Sequence, residues 1–378
     1  MKSQRLIVGV DIRDLKIAKT GTKTYLEELC IEFKELENDT TKFVFFDTSF
    51  NVYTGENKFK KLVEHFNYQL WKQVILPFKA MLNRCDILFC TDNYVPLLQL
   101  GFKTIPVIHD AFFFENPEHF NKMWLWIFKV IGLPAIKNSP IVITTSNYAK
   151  QRIIHFTDLP SHKVIPVYEA AKSFGSKKVA NDNLLERHKI EKRKYILHVG
   201  IINKRKNIPI LIKALKLLKL DGCKNLKLVL VGNLTKKKHE NDYELIKKTI
   251  TNAELTDEVI FTGYLNTNEL KEIYSHALIY VFPSLNEGFG IPILEAFRHK
   301  IPVLVADNTS LPEIGGDAVL TFDPYSETDI FNKIKLLIDN PNKAQEMIQK
   351  GSERLKLFSW RNTALQLIKI FKETNNKT

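Results

Sequence analysis

Glu287 and Glu295 stand eight positions apart in Pro283-Ser284-Leu285-Asn286-Glu287-Gly288-Phe289-Gly290-Ile291-Pro292-Ile293-Leu294-Glu295-Ala296, with Gly288 and Gly290 behind the first carboxylate. Glycines let backbone N–H groups approach a ligand, and a helix start offers partial positive charge to a phosphate. Pro292 suits a first helical turn, so the helix is expected to begin near Gly290 or Ile291 and to carry Glu295 in that turn. A first-turn glutamate alone commonly satisfies free N–H groups. Here both carboxylates and both glycines follow the apolar run Ala277-Leu278-Ile279-Tyr280-Val281-Phe282, which reads as a buried parallel strand, and that conjunction points to a ligand site.

A second group lies in Val199-Gly200-Ile201-Ile202-Asn203-Lys204-Arg205-Lys206-Asn207. Gly200 permits a sharp turn, and Arg205 with Lys206 puts two cations where a diphosphate could sit, Arg gripping oxygens in pairs and Lys acting as a point charge. Gly232 and Gly263 each follow an apolar run, where they serve a turn or bring backbone to a nucleobase. Ile108-His109-Asp110 ends another apolar run, placing His109 to touch a sugar or phosphate oxygen or to pack structurally. Thr20-Gly21-Thr22 reads as a small loop that could bring backbone to an acceptor or phosphate.

These residues need strands and helices in alternation, and the chain supplies them. Strand patterns at 5–11, 42–47, 86–90, 103–108, 141–144 and 163–167 alternate with helical ones at 23–36, 58–82 with a break at Pro77, and 119–137. A lysine-rich stretch, 172–191, is the linker candidate. The alternation restarts with strands at 195–199, 226–231, 259–262, 302–305 and 318–321, and a last amphipathic helix follows Phe358-Ser359-Trp360. The expectation is an α/β protein of two Rossmann-like domains, 1–172 and 173–357, facing each other across a cleft, with the helix 358–374 returning to the first.

At 378 residues the chain exceeds what one core usually supports. Cys30, Cys85, Cys90 and Cys223 have no metal-site spacing and no disulfide framework, which fits a reducing cytosol. No apolar segment is long enough to span a bilayer, the nearest, 123–136, being broken by Lys129 and Pro134. A net charge of +13 and a pI near 9.3 invite an anionic partner. The lysines are spread along most of the chain, Lys236-Lys237-Lys238 being the one tight run, which argues against nucleic acid.

Together the pieces resemble the retaining glycosyltransferases of family 4, with the GT-B fold, and within them the bacterial mannosyltransferases. The resemblance covers almost the whole chain. It is strongest from Phe261 to Pro324, through Pro283-Ser284, Glu287-Gly288-Phe289-Gly290 and Ser310-Leu311-Pro312-Glu313, with weaker matches in Leu70-Trp71-Lys72-Gln73-Val74-Ile75-Leu76-Pro77, Asp92-Asn93-Tyr94-Val95-Pro96-Leu97 and Val107-Ile108-His109-Asp110.

The resemblance implies roles. Glu295 would hold the ribose hydroxyls of a nucleotide-sugar donor, with GDP-mannose favoured. Glu287 and the backbone of Gly288, Phe289 and Gly290, next to Ile291, would hold the donor sugar. Arg205 and Lys206 would neutralise the departing diphosphate without a metal, and His109 would contact the sugar near the reacting carbon. Gly21, Gly200, Gly232 and Gly263 would line the site. Two departures stand out: Lys300 replaces the usual glycine before Ile301-Pro302, and Ile201 follows Gly200 where some relatives carry an arginine.

The implied protein is a cytoplasmic, metal-independent hexosyltransferase acting on a lipid-linked or polysaccharide acceptor in cell-surface glycan synthesis. Its charge and the aromatic segment 112–128, with Trp124 and Trp126, suit peripheral contact with an anionic membrane face. Competing readings are transfer from a UDP-sugar or other donor, a nucleotide-sugar epimerase, a sensor that binds without turnover, and a nucleic-acid-binding protein.

Overall fold

The structure, a computed structural model, describes residues 5–18, 21–55, 57–172, 184–235 and 241–376. It divides into one unit of 1–170 with 359–378 and a second of 171–358. The triple-lysine run Lys236-Lys237-Lys238 and Thr20 lie outside the described residues.

In the first unit, β1 (Leu6–Asp11), β2 (Thr41–Phe46), β3 (Ile87–Cys90) and β4 (Lys103–Pro106) form a parallel sheet in the order β2-β1-β3-β4. A parallel bridge from Val107 to Ile143 carries it on to the pair β5 (Val142–Thr144) and β6 (Val164–Pro166). β3 is buried along its whole length, as a central parallel strand covered on both faces must be. The helix Gly21–Leu36 sets Tyr25, Leu29 and Phe33 at helical spacing into the core. There Phe33 stacks on Phe43 with ring centres 4.5 Å apart. The last helix, Trp360–Asn376, belongs to this unit, with Trp360 edge-on to Tyr25 at 5.7 Å and Phe371 against Phe89 at 5.2 Å.

Two prolines shape this unit unexpectedly. The helical run from Lys58 does not break at Pro77. A wide π-turn, Trp71–Ile75, absorbs the proline and the run continues to Leu82. The same device recurs at Phe128–Gly132, just before Pro134. Proline removes one N–H and crowds the carbonyl four residues back, and a widened turn relieves both without ending the helix. A further correction concerns Gly21 and Thr22, which lie in the first turn of the helix rather than in a preceding loop.

The second unit has β7 (Tyr195–Val199), β8 (Lys227–Val231), β9 (Val259–Gly263), β10 (Ile279–Phe282), β11 (Val303–Ala306) and β12 (Val319–Phe322). They pair in parallel in the order β12-β11-β10-β7-β8-β9. The winding therefore reverses between β7 and β10, and in such sheets ligands settle outside the carboxyl ends of the strands at that reversal. All of β10 is buried, and each of its large apolar side chains contributes about 1.5–3 kcal/mol of burial. Within the expected linker 172–191, Leu184–Arg187 is a short helix with Leu184 and Leu185 buried, so part of that stretch is core.

Lys300 explains its own departure from glycine only as a tolerated strain: its φ is 54°, the left-handed region where a side chain costs about 1–2 kcal/mol.

Candidate functional site

The segments that leave β7 and β10 lie together at the reversal point. After β7, Gly200 (φ 151°) turns the chain into a short 3₁₀ turn, Lys204–Lys206, capped by the Asn203 side chain, which accepts from the Lys206 N–H. After β10, Leu285 N–H donates to the Arg205 carbonyl at 2.8 Å and ties the two loops together.

On this frame sits a compact charge cluster. Lys206 Nζ donates to Glu287 Oε1 at 2.6 Å, Arg205 Nη1 to Glu287 Oε2 at 3.0 Å and to the Asn286 carbonyl at 2.6 Å, and Ser284 Oγ to Glu287 Oε1 at 2.6 Å. Lys206 also lies over the Phe282 ring, 4.7 Å from its centre. Burial would push the Glu287 carboxyl up, but Arg205 and Lys206 outweigh it and hold the group near about 2. Burial, helped by Arg205, draws the Lys206 ammonium below its ordinary range despite the carboxylate. Two cations against one carboxylate leave the mouth of the sheet net positive, suited to an anion. The separate jobs given above to Glu287 and to the cations thus fall on residues that touch.

The loop between the two glutamates is held from behind. Ser310 Oγ is 2.9 Å from the carbonyls of both Glu287 and Phe289, which turns those carbonyls inward. Gly290 adopts φ 116° as cap of the helix Ile291–Arg298, where a Cβ would meet Leu311 at 3.1 Å. Ile291 is the first helical residue and Pro292 the second. Glu295 is consequently the fifth residue and lies past the first turn, correcting the expected position. It is buried and accepts from Tyr274 Oη at 2.9 Å, and burial pushes its carboxyl up.

The glycines differ in kind. A Cβ on Gly232 (φ 130°) would stand 2.0 Å from the Gly200 carbonyl oxygen, so Gly232 is required by the packing of two strand exits against each other. Gly263 (φ 71°) has open space around it, the nearest atom being Asn233 Oδ1 at 3.9 Å.

His109, in the first unit, has both ring nitrogens engaged: Nδ1 with Glu169 at 3.3 Å and Nε2 with the Thr91 carbonyl at 3.0 Å. Burial opposes the imidazolium, but two acceptors facing two nitrogens favour it, and the net direction is upward. Gly21, in the same unit, opens its helix and is not among the residues of the β7/β10 cluster.

Several functional candidates escaped the sequence reading. His198, fully buried in β7, donates to the Val281 carbonyl through Nδ1 (3.1 Å), while its Nε2 has no partner. Burial, with Lys206 nearby, pushes it down to about 4. A histidine two residues before a glycine exit, in an otherwise apolar strand, was the available signal. In the first unit, buried Lys72 bridges Asp11 (2.5 Å) and Asp92 (2.7 Å) at the reversal between β1 and β3, where Trp71 Nε1 donates to Asp11 and Tyr68 Oη to Asp92. Ligand atoms of Asp11, Cys90 and Asp92 lie within 4.8 Å of one another, but the Lys72 ammonium already holds both carboxylates. Burial pulls Lys72 down, the two aspartates more than compensate, and it stays charged. Beside this cluster a cavity of about 260 Å³ is lined by Arg13, Asp14, Glu64, His65 and Trp124 among others, and burial and Asp92 push Asp14 up to about 7.

A six-stranded parallel sheet wound in this order, with a positive, buried-carboxylate cluster at its reversal, defines a nucleotide-binding α/β unit. Residues 181–354 match the family model for glycosyl transferases group 1, and with the mannosyltransferase relatives this match makes the chain a glycosyltransferase. It is 26% identical over 272 residues to the O-antigen chain mannosyltransferase B of Escherichia coli, covering 71% of this chain and 70% of that one. It is 30% identical over 284 residues to the serotype-specific mannosyltransferase WbdA of Escherichia coli, covering 72% of this chain but only 34% of that protein, so the chain spans about a third of its length. Among solved structures it resembles the sucrose-phosphate synthase of Thermosynechococcus elongatus, with TM-score 0.73, 16% identity and 99% and 100% of the two chains covered. That likeness shows the fold, GT-B, with two Rossmann-like domains. Among the described residues no helix is long and apolar enough to cross a membrane.

Proposed function

We propose that this glycosyltransferase moves a hexose, mannose from GDP-mannose, onto a lipid-linked or polysaccharide acceptor in cell-surface glycan synthesis. The observation that carries the reading is the Arg205–Glu287–Lys206 cluster at the reversal of the second sheet. The mannosyl assignment is supported by the printed activities of the relatives.

In the reaction the bond from the sugar's anomeric carbon to the diphosphate oxygen breaks, its electron pair leaving with the diphosphate. An acceptor hydroxyl oxygen bonds to that carbon, and its proton passes to the departing diphosphate oxygen. Arg205 and Lys206 stabilise the negative charge that grows on the leaving group, a service fixed cations perform without reorganising. Glu287 holds those cations in place and can present an oxygen to the sugar hydroxyls. Glu295 accepts the two ribose hydroxyls, a diol suiting the two oxygens of a carboxylate. With two protein cations assigned to the diphosphate, transfer proceeds without an added metal.

The test is a thermal-shift series with GDP-mannose, UDP-glucose, UDP-N-acetylglucosamine and a deoxysugar donor, followed by transfer assays with and without a chelator. A ligand that binds the native state raises its melting temperature. GDP-mannose should give the largest rise and chelator-resistant transfer. A larger rise with a UDP-sugar would replace the donor, donor conversion without acceptor would favour an epimerase, and binding with no turnover would favour a sensor.

A further inference from the structure

The helix Lys58–Leu70 is turned inside out. No residue in it is buried, yet Phe59, Leu62, Val63 and Phe66 recur at i, i+3, i+4 and i+7 and all face solvent, Phe59 at 73% exposure and Phe66 at 67%. Its opposite side is the polar one: Lys61, Glu64, His65 and Tyr68 line the cavity beside Arg13 and Trp124. A surface helix of a water-soluble unit has the reverse arrangement, with the apolar stripe inward. The stripe does not stop at Leu70, because the π-turn keeps the run helical and Val74, Phe78 and Leu82 are exposed beyond it. At about 1.5 Å per residue the run Lys58–Leu82 extends on the order of 40 Å.

Charge decides what this face suits. Lys58 and Lys60 lie on the two flanks of the stripe, at roughly 100° to either side of Phe59, and both are exposed. Across the cavity, the helix Lys122–Ile127 and the turn after it show the same pattern on a smaller scale. Met123, Trp126 and Val130 are exposed, with exposed Lys122 and Lys129, seven residues apart, along one side of them and Trp126 at 64%. The aromatic segment singled out from sequence is thus divided: Trp124 packs with Phe113, Phe120 and Phe128, and Trp126 points out. Apolar stripes edged by lysines, on a chain with net charge +13, complement a surface that is apolar beneath and anionic on top.

We propose that the outward face of Lys58–Leu82, joined by Met123 and Trp126, is the docking surface of this protein for an anionic lipid bilayer, on which it lies without spanning. The inference deepens the lipid-linked acceptor reading, since a lipid-anchored substrate is met at such a surface. Its readout is independent of transfer.

The experiment is co-sedimentation of the full chain with vesicles of phosphatidylethanolamine plus phosphatidylglycerol, and with phosphatidylcholine vesicles, for the wild type, the double variant Phe59→Ser/Phe66→Ser, the charge variant Lys58→Glu/Lys60→Glu, and the control Leu220→Ser, an equally exposed leucine of the second unit. The wild type and control should bind anionic vesicles in preference to zwitterionic ones, and each helix variant should weaken that binding on the order of tenfold or more. Unchanged melting temperatures will show that the exposed substitutions leave the fold intact. Equal sedimentation of wild type and helix variants, or no anionic preference, would overturn the proposal. So would a wild-type dimer in sedimentation velocity that Phe59→Ser/Phe66→Ser converts to monomer, which would give the face to a second copy of the chain. Vesicle binding without any transfer would leave the surface standing and remove only the enzymatic reading.

Discussion

Lys206 Nζ and Glu287 Oε1 are 2.6 Å apart although 81 residues separate them in sequence. The contact joins the loop after the first strand of the second sheet to the loop after its fourth, and both partners are nearly inaccessible. Holding a carboxylate and an ammonium dry is favourable only while each has the other. Removing one partner of a buried pair costs about 3–5 kcal/mol.

Glu287→Ala should therefore cost stability as well as turnover, since Lys206 and Arg205 lose their counter-charge. Glu287→Gln keeps the shape and one acceptor for Ser284 and Lys206, and is the better probe. Its transfer rate should fall about a hundredfold or more, with a smaller drop in melting temperature than for Glu287→Ala. Initial rates and calorimetry on the two variants check the order.

The acid limb of stability should carry the same signature. Glu287 titrates near about 2 when folded against an ordinary 4.5, so the unfolded chain binds its proton first as the pH falls. Its contribution is complete above the unfolded value and is lost on descent through the folded one. Urea midpoints measured between those limits should decline less steeply for Glu287→Gln than for the wild type. His109 works in the opposite sense: its folded value is raised, so its contribution is present below 6.5 and lost as the pH climbs through the folded value.

Three substitutions separate glycine as backbone necessity from glycine as room for a ligand. Gly232→Ala should destabilise by about 3 kcal/mol or more, because strain at φ 130° adds to a clash with the Gly200 carbonyl. Gly263→Ala, at φ 71° with open space, should cost about 1–2 kcal/mol. Lys300→Gly should be neutral or stabilising, since it relieves a left-handed residue. Denaturant midpoints rank the three, and any other order contradicts these environments.

Lys72→Met should destabilise the first unit by about 3–5 kcal/mol, stranding Asp11 and Asp92 in a dry site. Adding Asp11→Asn and Asp92→Asn should restore much of the loss. Chemical denaturation of the single and triple variants gives the comparison.

The parallel sheets were legible because buried strands are short apolar runs and glycines mark their exits. Glu287, Arg205 and Lys206 were legible as strand-exit residues, but not as one cluster, since pairing between positions 81 apart leaves no local trace. Glu295 lies one residue past the first turn because the helix begins at Ile291, directly after the left-handed cap at Gly290, which makes 295 its fifth residue. Pro77 reads as a break because a π-turn has no residue signature beyond the proline itself. The Lys72 bridge was hidden for a similar reason: its carboxylates come from two other strands' ends, and a lysine in a helical pattern reads as solvent-facing.

The central claim, that the diphosphate of a nucleotide sugar rests on the cations after β7, is tested most directly by calorimetric titration of GDP-mannose into the wild type and Arg205→Gln. Arg205 is a third exposed at most, so its removal should spare the fold while deleting a paired grip on phosphate oxygens. The account predicts an affinity loss of about tenfold to a hundredfold with little change in melting temperature. Undiminished affinity in a folded Arg205→Gln protein would contradict it.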